Sequence, residues 1–225
     1  MRINTNILFP NFPILLLICL FPGILMAQSR FKAGIIAGVT ASQIDGDFSA
    51  GYNKLGLQGG LRVIARLTEK TDASLEFLFS QRGAQEELVQ NKFGDPLNAI
   101  TFNYVEIPVQ WHYKDWLIEG DDASKNFYRV SFNAGLSYAR LIGFSLKDGP
   151  DNKYYAFSDV IPDVIKKNDI SLVLGINFMV NRHLGFTARF NRSIVYMYDP
   201  RDHQNPPFTR AWNGHCLYFQ TVYLF

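Results

Sequence analysis

The chain has 225 residues with 22 basic and 20 acidic side chains, and it carries 19 Phe and 11 Tyr. A balance so close to neutral argues against a nucleic-acid partner and gives no sign of a strongly charged one. Of the two cysteines only Cys216 lies beyond residue 27, so the rest of the chain cannot form an intramolecular disulfide.

Residues 1–27 read as a secretory signal. Arg2 gives a short basic start, Ile14 to Phe21 form an apolar stretch, and Met26-Ala27-Gln28 offers a small residue for cleavage. A membrane anchor is the alternative. However, Pro10, Pro13 and Pro22 break the stretch, and a spanning helix needs about 20 uninterrupted apolar residues. Ile18 before Cys19 is not the small residue that lipoprotein processing prefers. The exported part, Gln28–Phe225, suits one domain and contains no run of about 18 apolar residues.

Eight segments then have strand character: Phe31–Ala41, Gly56–Leu67, Asp72–Arg82, Thr101–Tyr113, Phe127–Ile142, Asp169–Val180, Leu184–Tyr196 and His215–Phe225. Most exceed the ordinary globular strand of about 5–6 residues. Their length suits tilted strands that cross a bilayer in about 9–11 residues. Several alternate with period two. Leu75, Phe77 and Phe79 oppose Ser74, Glu76 and Ser80, and Val105, Ile107, Val109, Trp111 and Tyr113 oppose Tyr104, Glu106, Gln110 and His112. Leu172, Leu174 and Ile176 likewise oppose Ser171, Gly175 and Asn177, and Phe186, Ala188 and Phe190 oppose Thr187, Arg189 and Asn191. The apolar face would meet lipid in a membrane barrel and form the core of a soluble sandwich.

The connections favour the barrel. Thr68–Thr71 and Asn181–His183 are tight enough for hairpins, and the intervening connections are long. Outer-membrane barrels have short periplasmic turns and longer outer loops. The exception is Lys114–Asn126, a longer connection on the short-turn side. Lipid also demands that every backbone N–H and C=O be paired, so the first and last strands should close on each other. The expected fold is therefore all-β: an eight-stranded antiparallel up-and-down transmembrane barrel in the outer membrane, spanning residues 28–225. Pro108 deletes one ladder hydrogen bond and predicts a local bulge. A short helical turn is expected around Asp159–Lys167, limited by Pro162.

One set of charges falls on the polar, lumen-facing rows. With Leu67 opposite Ala73, Ile64 would face Glu76 and Arg62 and Arg66 would be its diagonal neighbours. Arg82, Glu106, Arg129 and Arg189 face the same interior. A barrel of about eight strands is just filled by its side chains, so this set reads as a structural ion-pair plug more readily than as a gated polar path. His203 with Asp202 is the one pair that suggests acid–base chemistry at the rim, but no serine or cysteine nucleophile stands beside it. The scattered His112, His183 and His215 have no metal-ligand spacing, and no cofactor or metal is expected. Asn191-Arg192-Ser193 matches a glycosylation sequon but falls inside a strand, and the glycines follow no phosphate-binding fingerprint. Trp111, Tyr113, Trp116, Tyr196, Tyr198 and Trp212 lie near strand ends and suit interfacial girdles. Leu217, Phe219, Tyr223 and the terminal Phe225 form the apolar row of the last strand, and they read as a C-terminal signal for barrel-insertion machinery.

Phe31-Lys32-Ala33-Gly34-Ile35-Ile36-Ala37-Gly38-Val39, Asn103-Tyr104-Val105-Glu106-Ile107-Pro108-Val109, Asn133-Ala134-Gly135-Leu136-Ser137 and Asp169-Ile170-Ser171-Leu172-Val173-Leu174-Gly175 resemble the PorT-like outer-membrane barrels of Bacteroidota. The Tyr-x-Glu-Ile-Pro piece is the most specific and makes Pro108 a family feature. The resemblance implies an outer-membrane barrel with no catalytic motif, and one named member of that family takes part in a secretion system. The function expected is a non-enzymatic integral barrel with a structural or interaction role through its outer loops. Its expected partners are outer-membrane lipid, the insertion machinery and other envelope proteins. A lipocalin-like ligand-binding barrel, with the faces reversed, and a rim-located hydrolase or acyltransferase are the alternatives.

Overall fold

A computed structural model describes residues 30–47, 51–85, 98–121, 126–147 and 160–225. The proposed signal at 1–27 lies outside them. Eight strands follow in order: β1 Phe31–Asp45, β2 Lys54–Arg66, β3 Thr71–Gln85, β4 Ala99–Ile118, β5 Phe127–Lys147, β6 Asn168–Met179, β7 Leu184–Ser193 and β8 Asn213–Leu224. Each pairs antiparallel with its sequence neighbour, and β1 pairs with β8 from Gly34↔Leu224 to Asp45↔Asn213, closing the sheet into a barrel. Closure leaves no unpaired strand edge, as a span through lipid requires.

The period-two pattern decides which face is inside. Phe77 is 57% exposed and Phe186 50%, whereas Glu76 and Glu106 are each 1% exposed and Arg189 4%. The apolar rows therefore face outward and the polar rows inward. A lipocalin-like barrel needs the reverse, so that alternative is excluded. The outer row of β4 is apolar from Val105 to Tyr113 and turns polar at Asn103 and Thr101. β4 and β5, at 20 and 21 residues, thus run well past the apolar band at the long-loop end.

Four expectations are corrected. The β2–β3 register is displaced by two residues: Ala65, not Leu67, pairs with Ala73, which puts Arg62 directly opposite Glu76. The cause is the turn, where Leu67 and Thr68 both donate backbone N–H to the Thr71 carbonyl and the Thr68 hydroxyl accepts from the Thr71 N–H (3.0 Å). Pro108 carries no bulge. It pairs with Ser137 on β5, and towards β3 the register is the same on either side of it, at Leu75↔Val109 and Leu78↔Glu106. The proline's missing donor is absorbed as an interruption of the β3 ladder, and the register shift lies instead at Asn103/Tyr104. The connection read as Lys114–Asn126 shrinks to 119–126, because Asp115, Leu117 and Ile118 pair with Val130, Tyr128 and Phe127. The exception to the short-turn pattern largely disappears. Finally, Tyr198 and Trp212 are fully buried, whereas Trp111, Tyr113, Trp116 and Tyr196 are exposed on the outer wall as a girdle requires.

Those two aromatics belong to an apolar cluster at the long-loop end. Ile44, Ile100, Phe102 and Tyr104 from the projecting strands meet Met197, Tyr198 and Trp212 from the β7–β8 connection. Ile161 and Ile165 descend onto the same cluster from α1, Ile161–Val164, the helical turn expected near Pro162.

Candidate functional site

The interior between the two barrel ends is built around two buried triads of charge. In the first, Glu76 on β3 accepts from Arg62 Nε at 2.6 Å and from both terminal nitrogens of Arg189 at 2.7 Å. Arg189 comes from β7, so this bidentate pair crosses the lumen. In the second, the Arg82 guanidinium lies 2.7 Å from Glu106 and 2.9 Å from Asp169, and its central carbon stands 5.2 Å from the centre of the Tyr104 ring. Glu106 also accepts from Ser137 (2.7 Å), Asn191 (3.0 Å) and Gln58 (3.3 Å). Two cations surround one carboxylate in the first triad, and one cation lies between two carboxylates in the second. The triads carry opposite excess charge and together are neutral, which lowers the cost of holding these ions away from water.

Polar side chains fill the remaining space. Asn133 donates to Gln110 and Gln220 to Gln58, while Asn177 donates to Asn133 and accepts from Thr187 (2.7 Å). Gly175 makes room for the first triad, since a Cβ there would stand 2.8 Å from Arg189 Cγ and from Asn133 Oδ1.

Of the predicted lumen residues, Arg62, Glu76 and Arg189 come together in one triad and Arg82 and Glu106 in the other. Arg66 and Arg129 stand apart. The exposed Arg66 side chain approaches the Thr68 carbonyl at 3.4 Å, away from both triads. Arg129 is drawn to the outer wall, its guanidinium 5.5 Å from the centre of the Trp116 ring and 5.9 Å from that of Phe178. On the facing strand β4, Trp116 has φ 56°, a conformation rare for a bulky residue, and the β4–β5 register skips the Trp116/Arg129 pair between Asp115↔Val130 and Leu117↔Tyr128. Asp169 was missed, although it shares the parity of Ser171 and Asn177 on the polar row of β6 and its Oδ2 accepts from Ser171 (2.8 Å).

At the short-turn end Arg62, alone of the first triad, reaches a cavity of about 500 Å³ lined also by His112, Lys114 and the hairpin residues around them. At the rim of the other end, Asp202 pairs with Lys166 at 2.7 Å and the His203 ring stacks on Tyr198 with centroids 5.4 Å apart. The two residues that suggested acid–base chemistry are thus each engaged elsewhere. Beside them Asp199 is held at about 2 by hydrogen bonds from the side chain and backbone N–H of Arg201. No group of His, Cys, Asp and Glu among the described residues could hold a metal ion.

The last strand closes the barrel with Phe219 and Tyr223 exposed on the lipid face and Leu217 half-buried. Phe225 donates its backbone N–H to Ala33 at 2.8 Å, and its ring meets Tyr223 edge-on at 5.9 Å.

A family model described as an outer membrane protein beta-barrel domain matches residues 26–198. The chain belongs to that family. Its localisation is accordingly the outer membrane, which matches the girdled, apolar outer face described above. No curated protein matches the sequence. Among solved structures, the attachment invasion locus protein Ail of Yersinia pestis is 11% identical with a TM-score of 0.42, over 87% of this chain and 99% of that one, in a complex with the heparin analogue sucrose octasulfate. OprG from Pseudomonas aeruginosa is 11% identical with a TM-score of 0.38, over 87% of this chain and 94% of that one.

Proposed function

We propose that this family member is a non-enzymatic barrel that acts as a structural or interaction protein through its long outer loops. Residues 1–27 serve as the export signal in this reading. The observation that carries it is the filled interior. Two neutralising triads occupy the lumen and an apolar cluster rooted in Ile161, Tyr198 and Trp212 fills the long-loop mouth. Such a barrel has little aqueous bore, which speaks against a conducting channel and supports reading the ion pairs as a plug. The engagement of Asp202 by Lys166 and of His203 by Tyr198 likewise speaks against a rim hydrolase.

Short turns face the periplasm in barrels of this kind. The described residues 160–167 and 194–212 then lie outside the cell, where envelope or extracellular partners would meet them. The resemblance of the Tyr-x-Glu-Ile-Pro segment to PorT-like barrels supports a place beside a secretion assembly. Leu217, Phe219, Tyr223 and Phe225 act in this reading as the assembly signal. Crosslinking on intact cells followed by co-purification from detergent should recover envelope proteins through the outer loops. A steady conductance of the purified barrel in planar bilayers, with no partner recovered, would refute the proposal.

A further inference from the structure

The short-turn cavity carries a property that a plug does not need. Its floor is Arg62, which is 4% exposed, and whose second terminal nitrogen has no hydrogen-bond partner among the described residues. The guanidinium spends Nε on Glu76, while Glu76 is already held by both terminal nitrogens of Arg189. This triad therefore keeps one excess positive charge, at the end of the lumen where the cavity begins. The walls add to it. Arg30, Lys32, Arg66 and Arg182 line the cavity against Glu69 and Asp72, and Asp72 is taken by Lys114 at 2.7 Å. A volume of about 500 Å³ falls within the roughly 300–1,000 Å³ of ordinary small-molecule sites.

A buried guanidinium N–H leaves a cost unless an acceptor reaches it, and an anionic oxygen is the best acceptor for a charged donor. From β4, β5 and β6, Phe127, Leu117 and Met179 add an apolar patch to the lining, beside the polar Ser131 and Asn177. We propose that this cavity is a binding site for a phosphate-bearing small molecule or headgroup. Its phosphate meets Arg62 at the floor, the rim cations Arg66 and Arg182 neutralise it, and its organic body lies against the apolar patch. The site faces the periplasm if the short turns do, and it is independent of what the outer loops bind.

The test uses the full-length barrel purified in nonionic detergent and titrated with inorganic phosphate and with glycerol phosphate, followed by phosphorus NMR. A second arm uses nanodiscs of phosphatidylcholine with and without phosphatidylglycerol. Arg62→Gln keeps the Glu76–Arg189 pair and should weaken phosphate binding by about tenfold or more. Arg66→Gln with Arg182→Gln touches neither triad, so the fold is safe, and it should weaken binding by about threefold to tenfold. Lys166→Ala at the opposite end should change nothing. Glycerol phosphate binding in detergent identifies a free ligand as the source. Arg62-dependent competition only by phosphatidylglycerol identifies a lipid headgroup. Equal affinities in all variants, or no binding of either phosphate in detergent and no effect of phosphatidylglycerol, would overturn the site.

Discussion

At the long-loop end, Ile161, Tyr198 and Trp212 close the barrel with apolar side chains, and at the short-turn end Arg62, His112 and Lys114 line an open cavity. The two ends follow different rules of assembly. The upper closure is apolar in its side chains: α1 and the β7–β8 connection, tied together by backbone hydrogen bonds from Lys166 to Met197 and between Tyr198 and Trp212, drop apolar residues into the mouth that β4 and β5 extend. At the lower end two of the hairpins are too short to fold back over the opening, with Arg66↔Asp72 as the last β2–β3 pair and β6–β7 joined across 180–183. This end keeps its polar lining in contact with water. The ion pairs between the two ends separate an apolar plug from a basic vestibule. A barrel whose task is only to sit in lipid would not need the two ends to differ.

The largest effect expected from breaking this arrangement is at its centre. Glu76→Ala leaves Arg62 and Arg189 buried without their shared carboxylate. The loss should be about 3–5 kcal/mol, read as a lowered urea midpoint in phospholipid vesicles and a lowered temperature for the heat-induced gel shift. A change under about 1 kcal/mol would mean that water already reaches the triad and that the middle belongs to the vestibule. Ile161→Ala should cost about 2–4 kcal/mol, because Ile161 is fully buried in the upper cluster. The loss should fall on protease resistance of the outer loops before it reaches the membrane strands. If instead the whole barrel loosens together, the two ends are one cooperative unit.

Most of this architecture was legible along the chain, and the reasons for the rest are local. Alternation over β3, β4, β6 and β7 placed Glu76, Glu106 and Arg189 inside, since a strand offers two faces and lipid accepts only one of the two side-chain sets. Arg129 escaped because its place depends on the facing strand: Trp116 on β4, at φ 56°, interrupts the β4–β5 pairing at that level and presents its ring to the Arg129 guanidinium. The β2–β3 register slipped by two because the apolar rows match in either register, and the hydrogen bonds of the Thr68–Thr71 turn select one. Tyr198 and Trp212 were placed in a girdle because sequence position cannot tell a strand end at the interface from a loop that folds back over the mouth. The predicted lumen set held all three members of the first triad, Arg62, Glu76 and Arg189, but Asp169 was needed to complete the second, whose excess negative charge offsets the first.

Gly175→Ala probes the middle more gently. Its Cβ would meet Arg189 Cγ and Asn133 Oδ1, each at 2.8 Å, and neither is free to retreat from a filled lumen. Overpacking of this kind costs about 1–3 kcal/mol, so the variant should insert normally and melt earlier. An unchanged melting temperature would place slack around Arg189 that the vestibule must supply.

The smallest effect belongs to the outer rim, and it separates what holds the upper end together from what merely decorates it. Lys166 and Asp202 meet at 2.7 Å, but each side chain keeps about half its surface in water, 48% and 49%. Coulomb attraction between such groups is screened, and fixing two mobile side chains offsets much of it, so Lys166→Ala should shift stability by less than about 1 kcal/mol. The same substitution should leave loop protease resistance unchanged, whereas Ile161→Ala reduces it. The pair does join α1's C-terminal flank to the Pro200–Asp202 turn, two segments that the chain brings together over the barrel mouth. A large loss on removing Lys166 would therefore mean that the upper end is held by charge as the centre is, and the contrast between an apolar mouth and a charged middle would have to be redrawn.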